Sequence, residues 1–127
     1  MANVITNLTT ADGSRYTVIL VQIVGDASGE ETDTSILDAS GLSPASTNLA
    51  LARAKWALNG FDVTLKWDAT ANVRFFTMSG ADSQEFQQDN GSLSNNAGAG
   101  KTGDVVFDSS GLGAEDGYFE LTFIKKG

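Results

Sequence analysis

A chain of 127 residues has room for a single domain, 1–127, that buries roughly two-thirds of the surface its unfolded form exposes. It contains no Cys and no His, which excludes disulfides and thiolate metal sites and removes the commonest general base and transition-metal ligand. The 16 acidic residues against 8 basic ones leave a net charge of −8, which repels nucleic-acid phosphates and anionic membranes and favours solubility. Met1-Ala2-Asn3 is followed by neither a basic n-region nor an apolar h-region, and no apolar run reaches a membrane span, so a soluble chain made in the cytoplasm is expected.

Asn3–Leu8 sets Val4 and Ile5 among Asn and Thr before the turn signal Ala11-Asp12-Gly13, which suits either a short edge strand or an extended arm over residues 1–10. Tyr16–Val24 is a dense β-branched run, apolar on both faces along most of its length. It predicts a strand covered on two sides, in a sandwich or against a partner. The acidic run from Asp26 to Asp33 lacks the Asp-x-Asp-x-Asp-Gly order of a calcium loop and reads as a solvated turn. Thr34–Asp38 is a short strand around Ile36 and Leu37, and Ser40–Ser46 is a connection holding the single Pro.

In Asn48–Leu58 helix propensity competes with strand. Asn59-Gly60, between Leu58 and Phe61, favours strand, because it is a strong two-residue hairpin signal. That hairpin sets Trp56 against Val63, Ala54 against Leu65 and Ala52 against Trp67. It gathers Arg53, Lys55 and Lys66 on an opposite, wet face that is either solvated or meets an acidic patch on a neighbour. Asp68–Asn72 is a turn, Val73–Ser79 the next strand, and Gly80 its end. Ala81–Gly103 is a long connection with Phe86 and Leu93 as its apolar residues, a length that points to function or to ordering by a partner.

Within that connection, Asn95-Asn96-Ala97-Gly98-Ala99-Gly100-Lys101-Thr102 nearly spells a phosphate-binding loop. Such a loop needs Gly where Asn95 stands, a buried strand before it and a helix after it, since backbone N–H groups and the helix N-terminus hold the phosphates. The β-rich Val105-Val106-Phe107 that follows argues against it. Asp104–Asp108 and Tyr118–Lys125 are closing strands around the Gly-rich turn Ser109–Gly117. Together these segments predict an all-β, antiparallel sandwich or barrel-like domain of seven to eight strands with a long Gly/Asn-rich loop.

No catalytic constellation emerges, because Asp62, Asp68, Asp104 and Asp108 lie at strand ends or on the wet face. The chain reads as no enzyme, with no cofactor and no metal. Trp56 and Trp67 are better explained as core than as sugar-stacking residues, although a carbohydrate-binding sandwich stays open beside a structural assembly protein.

Asp12-Gly13-Ser14-Arg15 before a long strand, Leu65-Lys66-Trp67-Asp68-Ala69-Thr70, the stretch Asn95–Asp104, and a closing strand ending in Lys125-Lys126 resemble small virion structural proteins of marine tailed phages and cyanophages. The resemblance implies a capsid decoration, or cement, protein on the outer surface of the virion head. It implies the major capsid protein as partner, self-association as dimer or trimer, and no contact with nucleic acid or membrane; a head fibre or tail-associated role is the alternative within the virion. On that reading the contacts come from the N-terminal segment (Asn3, Val4, Ile5), the long loop (Phe86, Asn95, Asn96, Lys101) and the basic face (Arg53, Lys55, Lys66).

Overall fold

The computed structural model describes residues 3–13, 15–27, 29–38, 49–86, 93–94 and 102–125. Its strands are β1 (Val4–Asp12), β2 (Tyr16–Val24), β3 (Thr34–Leu37), β4 (Leu49–Trp67), β5 (Val73–Glu85), β6 (Leu93–Ser94), β7 (Val105–Ser110) and β8 (Asp116–Lys125). They form one antiparallel sheet in the order β1-β2-β8-β4-β7-β3, with β5 and β6 paired along the other edge of β4. The all-β, antiparallel, nearly barrel-shaped architecture expected from the turn spacing is what the chain adopts.

The 19-residue β4 organises the rest. Its first part pairs with β8 from Leu49 to Leu58, and its last part pairs with β7 from Asp62 to Trp67. β5 follows it along both parts, with Ala57 opposite Ala81 and Asp62 opposite Ser79. On the β5 side Leu58, Asn59, Gly60 and Phe61 therefore face a single residue, Gly80, and this bulge is the corner at which the sheet turns over on itself. Gly60 (φ +86°) and Gly80 (φ +69°) supply left-handed backbone that a side chain would strain. Asn59-Gly60 is thus a corner in a continuous strand and not the two-residue hairpin its spelling predicts. Trp56 faces Phe119 and Asp82 instead of Val63, and Val63 faces Ser109 and Met78. The reversal of the chain occurs at 68–72, where a turn is expected, and β5 runs on to Glu85 instead of ending at Gly80.

The folded-over sheet encloses one core. Ile19, Val21 and Ile23 of β2 and Phe119, Leu121 and Phe123 of β8 pack against Val63, Leu65 and Trp67 of β4 and Val105 and Phe107 of β7. Contact across the two halves is made by Phe107 with Phe119 (ring centroids 5.9 Å apart) and by Trp67 with Phe123 (6.0 Å). Trp56 and Trp67 are therefore core residues, as their strand positions suggest. The terminal strands of the sheet approach each other where the Asn7 amide donates to the Ser35 carbonyl (3.2 Å).

Candidate interaction surface

β2 explains why one face of the molecule is unusual. Thr17, Ile19, Val21 and Ile23 point inward, while Val18, Leu20 and Val24 occupy the alternate, outward positions. No described residue covers that outward face. Val24 is 49% and Tyr16 39% exposed, and the β1 residues beside β2 are more so, Val4 at 57% and Leu8 at 55%. Register places Val4 opposite Val24 and Leu8 opposite Leu20, two exposed apolar pairs on one face with the polar pair Thr6 and Gln22 between them, which together form a strip over two strands. The two-sided apolar run in Tyr16–Val24 was legible in sequence; its outer side is the strip.

Away from the edge the same face becomes polar. Tyr118, Glu120 and Thr122 of β8 sit opposite Gln22, Leu20 and Val18, and Lys55 of β4 lies opposite Glu120. Next to the corner, an open groove of about 690 Å³ is walled by Gln22, Val24, Asn59, Asp116 and Tyr118 above small residues such as Ala57. Gly117 lies beneath it and makes room for the corner. A Cβ there would meet Phe61 Cζ at 2.9 Å and the Ala57 carbonyl at 3.0 Å, so Phe61 fills the space that glycine leaves.

The sequence-predicted contact residues are distributed unequally. Val4 is on the apolar strip, whereas Ile5 is half-buried against the core. Asn3 is a tether: its amide donates to the Gly29 carbonyl and to Glu31 Oε2 (both 2.9 Å), and its Oδ1 accepts from the Asp26 N–H (3.1 Å). Val4–Thr10 is consequently an ordered edge strand and not a loose arm. Phe86 is half-buried, its ring edge-on to Phe76 at 5.2 Å. Arg53 and Lys55 are exposed on the outward face, with Arg53 opposite Glu85. Asn95, Asn96 and Lys101 lie outside the described residues.

Lys66 does not join Arg53 and Lys55. It lies beyond the corner and is buried, with Nζ paired to Asp33 Oδ1 and, at 3.0 Å, to Asp108 Oδ2. The Asp33 N–H donates to Asp108 Oδ1 (2.8 Å) and the Asn72 amide to Asp33 Oδ1 (3.1 Å), which closes the cluster. Burial is the largest influence on Lys66 and disfavours its charge, but the hydrogen bonds and charges of Asp33 and Asp108 outweigh it and raise its pKa. The hydrogen bond from Lys66, then that from Asn72, holds the Asp33 carboxyl below its usual value. A basic face of three residues is therefore reduced to two, because Lys66 is consumed by an internal ion pair.

The acidic run before β3 is likewise built into the fold. Glu30 accepts from Ser109 Oγ (2.7 Å), the Gly111 N–H (2.6 Å) and the Leu112 N–H (3.0 Å), pinning the turn between β7 and β8. The Ser109 bond is the largest influence and lowers its pKa; burial opposes it, and the Leu112 and Gly111 N–H bonds add to the lowering. At the end of the Gly-rich stretch, Thr102 Oγ1 donates to Asp68 Oδ2 (2.8 Å), and the Asp68 N–H donates to the Asp104 carbonyl (3.0 Å). The next residues form β7, not the helix that a phosphate loop requires. Among the described residues, no group of three or more carboxylates converges as a metal site would.

Comparison with known proteins gives little to set beside this geometry. No family model and no curated protein matches the chain. The solved structures that resemble it include two at 9% identity. They are the cupin domain of Schizosaccharomyces pombe Cnp3 (98% of this chain, 65% of that one, TM-score 0.41) and a cupin superfamily protein from Desulfitobacterium hafniense (98% and 80%, TM-score 0.36). The chain thus spans just under two-thirds of the length of the first.

Proposed function

We propose that the chain is a non-catalytic structural protein of a tailed-phage virion, a decoration protein that binds the outer surface of the major capsid protein lattice and braces the expanded head. The observation that carries the reading is the strip of apolar pairs Val4–Val24 and Leu8–Leu20, flanking Thr6 and Gln22, that no described residue covers. A water-facing strip of this kind on a rigid sheet is suited to docking on another protein. The resemblance of Leu65–Thr70 and Asn95–Asp104 to phage virion proteins supplies the class of partner, and a net charge of −8 suits a position away from packaged DNA. Copies bridging adjacent capsomers gain affinity from repetition, so a modest strip on each is sufficient.

The test adds purified protein to expanded heads that lack it. Saturable binding and a higher head melting temperature are expected. Val24→Lys, which places a charge on the strip without touching the core, should weaken binding about tenfold or more, equivalent to about 1.4 kcal/mol. Binding to tails alone, or head binding indifferent to Val24→Lys, would overturn the proposal.

The groove beside Tyr118 favours a second reading as a carbohydrate-binding module, since an aromatic wall flanked by Gln22, Asn59 and Asp116 is chemistry that sugars use. That reading expects saturable binding on a glycan array, abolished by Tyr118→Ala.

A further inference from the structure

We infer that β1 is the seam of a homodimer, in which two copies pair β1 with β1 antiparallel about a twofold axis at Thr6. The inference deepens the self-association expected of a decoration protein by naming its surface, and it does not depend on head binding.

β1 stands at the end of the sheet order and, among the described residues, its backbone pairs only with β2, while the side chains of Asn3 and Asn7, on the face of Ile5, reach across to Gly29, Glu31 and Ser35. Amides and carbonyls alternate sides along a strand, so those not bonded to β2 point away from the sheet. Natural edges of this kind are guarded by Lys, Pro, short length or a covering element. β1 is nine residues long, with neither charge nor Pro from Val4 to Ala11, and all of its residues except Ile5 are exposed. Its bulge, between Thr9 and Ala11, leaves Val4–Thr9 regular.

Two features select a second copy as the occupant. The first is symmetry. On the outward face the order is Val4, Thr6, Leu8, an apolar–Thr–apolar pattern centred on Thr6. A twofold axis there sets Val4 of each copy opposite Leu8 of the other and Thr6 opposite Thr6, so the exposed apolar side chains become cross-strand neighbours on one face. The second is charge. Two chains of net charge −8 repel, and a neutral strand gives them a line of approach. The acid at its far end, Asp12, is already engaged by Lys125 Nζ at 2.6 Å. Pairing also joins the strips of the two copies into one surface.

The absence of Cys makes the test direct, because a single introduced thiol reports one contact. In analytical ultracentrifugation the protein should sediment at twice the 13.3 kDa monomer mass. Thr6→Lys, which brings two like charges together at an exposed position, should weaken the dimer tenfold or more while keeping the parent's far-ultraviolet circular dichroism. Under mild oxidation Thr6→Cys should become a covalent dimer, and Ser83→Cys, exposed on β5 across the sheet, should not. A monomer up to about 1 mM overturns the inference, and so does an oligomer that Thr6→Lys leaves intact. Failure of Thr6→Cys to cross-link in a dimeric protein overturns it as well. The isolated chain is measured, so a monomer here leaves the head-binding proposal standing, and loss of head binding leaves the dimer standing.

Discussion

Lys66 shows how far a residue's role can depend on partners remote in sequence. Alternation in β4 puts it on an outward position, where a lysine ordinarily belongs to the solvated surface. Asp33 and Asp108 arrive from the segment before β3 and from β7 and convert it into the centre of an ion cluster. Lys66→Met leaves the two carboxylates facing each other and should lower stability by about 1–2 kcal/mol, a figure reduced because Asp33 is solvent-facing. The pH dependence has a definite sign. Lys66 is raised, so its contribution is complete below its ordinary value of 10.5 and is lost as pH rises through the higher folded value. Asp33 and Glu30 are depressed, so theirs is complete above the ordinary values of 3.8 and 4.5 and is lost as pH falls through the lower folded ones. Melting temperatures should therefore fall at both limbs. In Lys66→Met the alkaline limb should flatten, and the acid limb should keep the parts carried by Glu30 and by the Asn72 bond to Asp33.

At the scale of the element, β4 separates what periodicity can and cannot say. Its residues in the core cluster run Leu49 and Leu51, then Ala54, Trp56 and Leu58, then Phe61, Val63, Leu65 and Trp67. The alternation changes phase twice, at the bulge beside Ala52 and at the corner. A two-residue hairpin turn and a one-residue phase change both flip the alternation, so the apolar pattern around Asn59-Gly60 is identical for either. Gly60 needs positive φ in both cases, which makes the spelling equally uninformative. Deleting Asn59 tests the assignment: it returns β4 to unbroken alternation, which keeps Val63, Leu65 and Trp67 on the face of Trp56 and Leu58 but removes the extra residue from which the corner is made. The variant should lose the cooperative melting transition and near-ultraviolet signal of the parent. Conversion of Gly60 to Ala, which only strains the corner, should cost about 1–2 kcal/mol.

The whole molecule is held by pairings between distant segments. β2, near the N-terminus, pairs with the C-terminal β8, and β4 in the middle pairs with β5, β6, β7 and β8. Loop closure on this scale precedes most of the reward, so refolding should lie in the range of roughly milliseconds to seconds typical of all-β domains. Stopped-flow tryptophan fluorescence would check this, with Trp56 and Trp67 in the core as the reporters. The same topology positions the proposed contacts. The middle of the sheet is fully paired by strands of the chain itself, and β1 is left at the margin with the apolar strip beside it.

The sequence alone determined the all-β class, most strand positions, the core assignment of Trp56 and Trp67, and the mismatch of Asn95–Asp104 with a phosphate loop. These follow from local alternation, turn chemistry and residue type, which act over a few neighbours. Only the tertiary structure decided that Asn59-Gly60 is a corner, that Lys66 is withdrawn from the basic face, that Asn3 ties down the start of β1, and that no described residue covers the outer side of β2. Each of these depends on which strand lies beside which. Pairing is a non-local choice, settled by the enclosure of a single core rather than by any short stretch of chain.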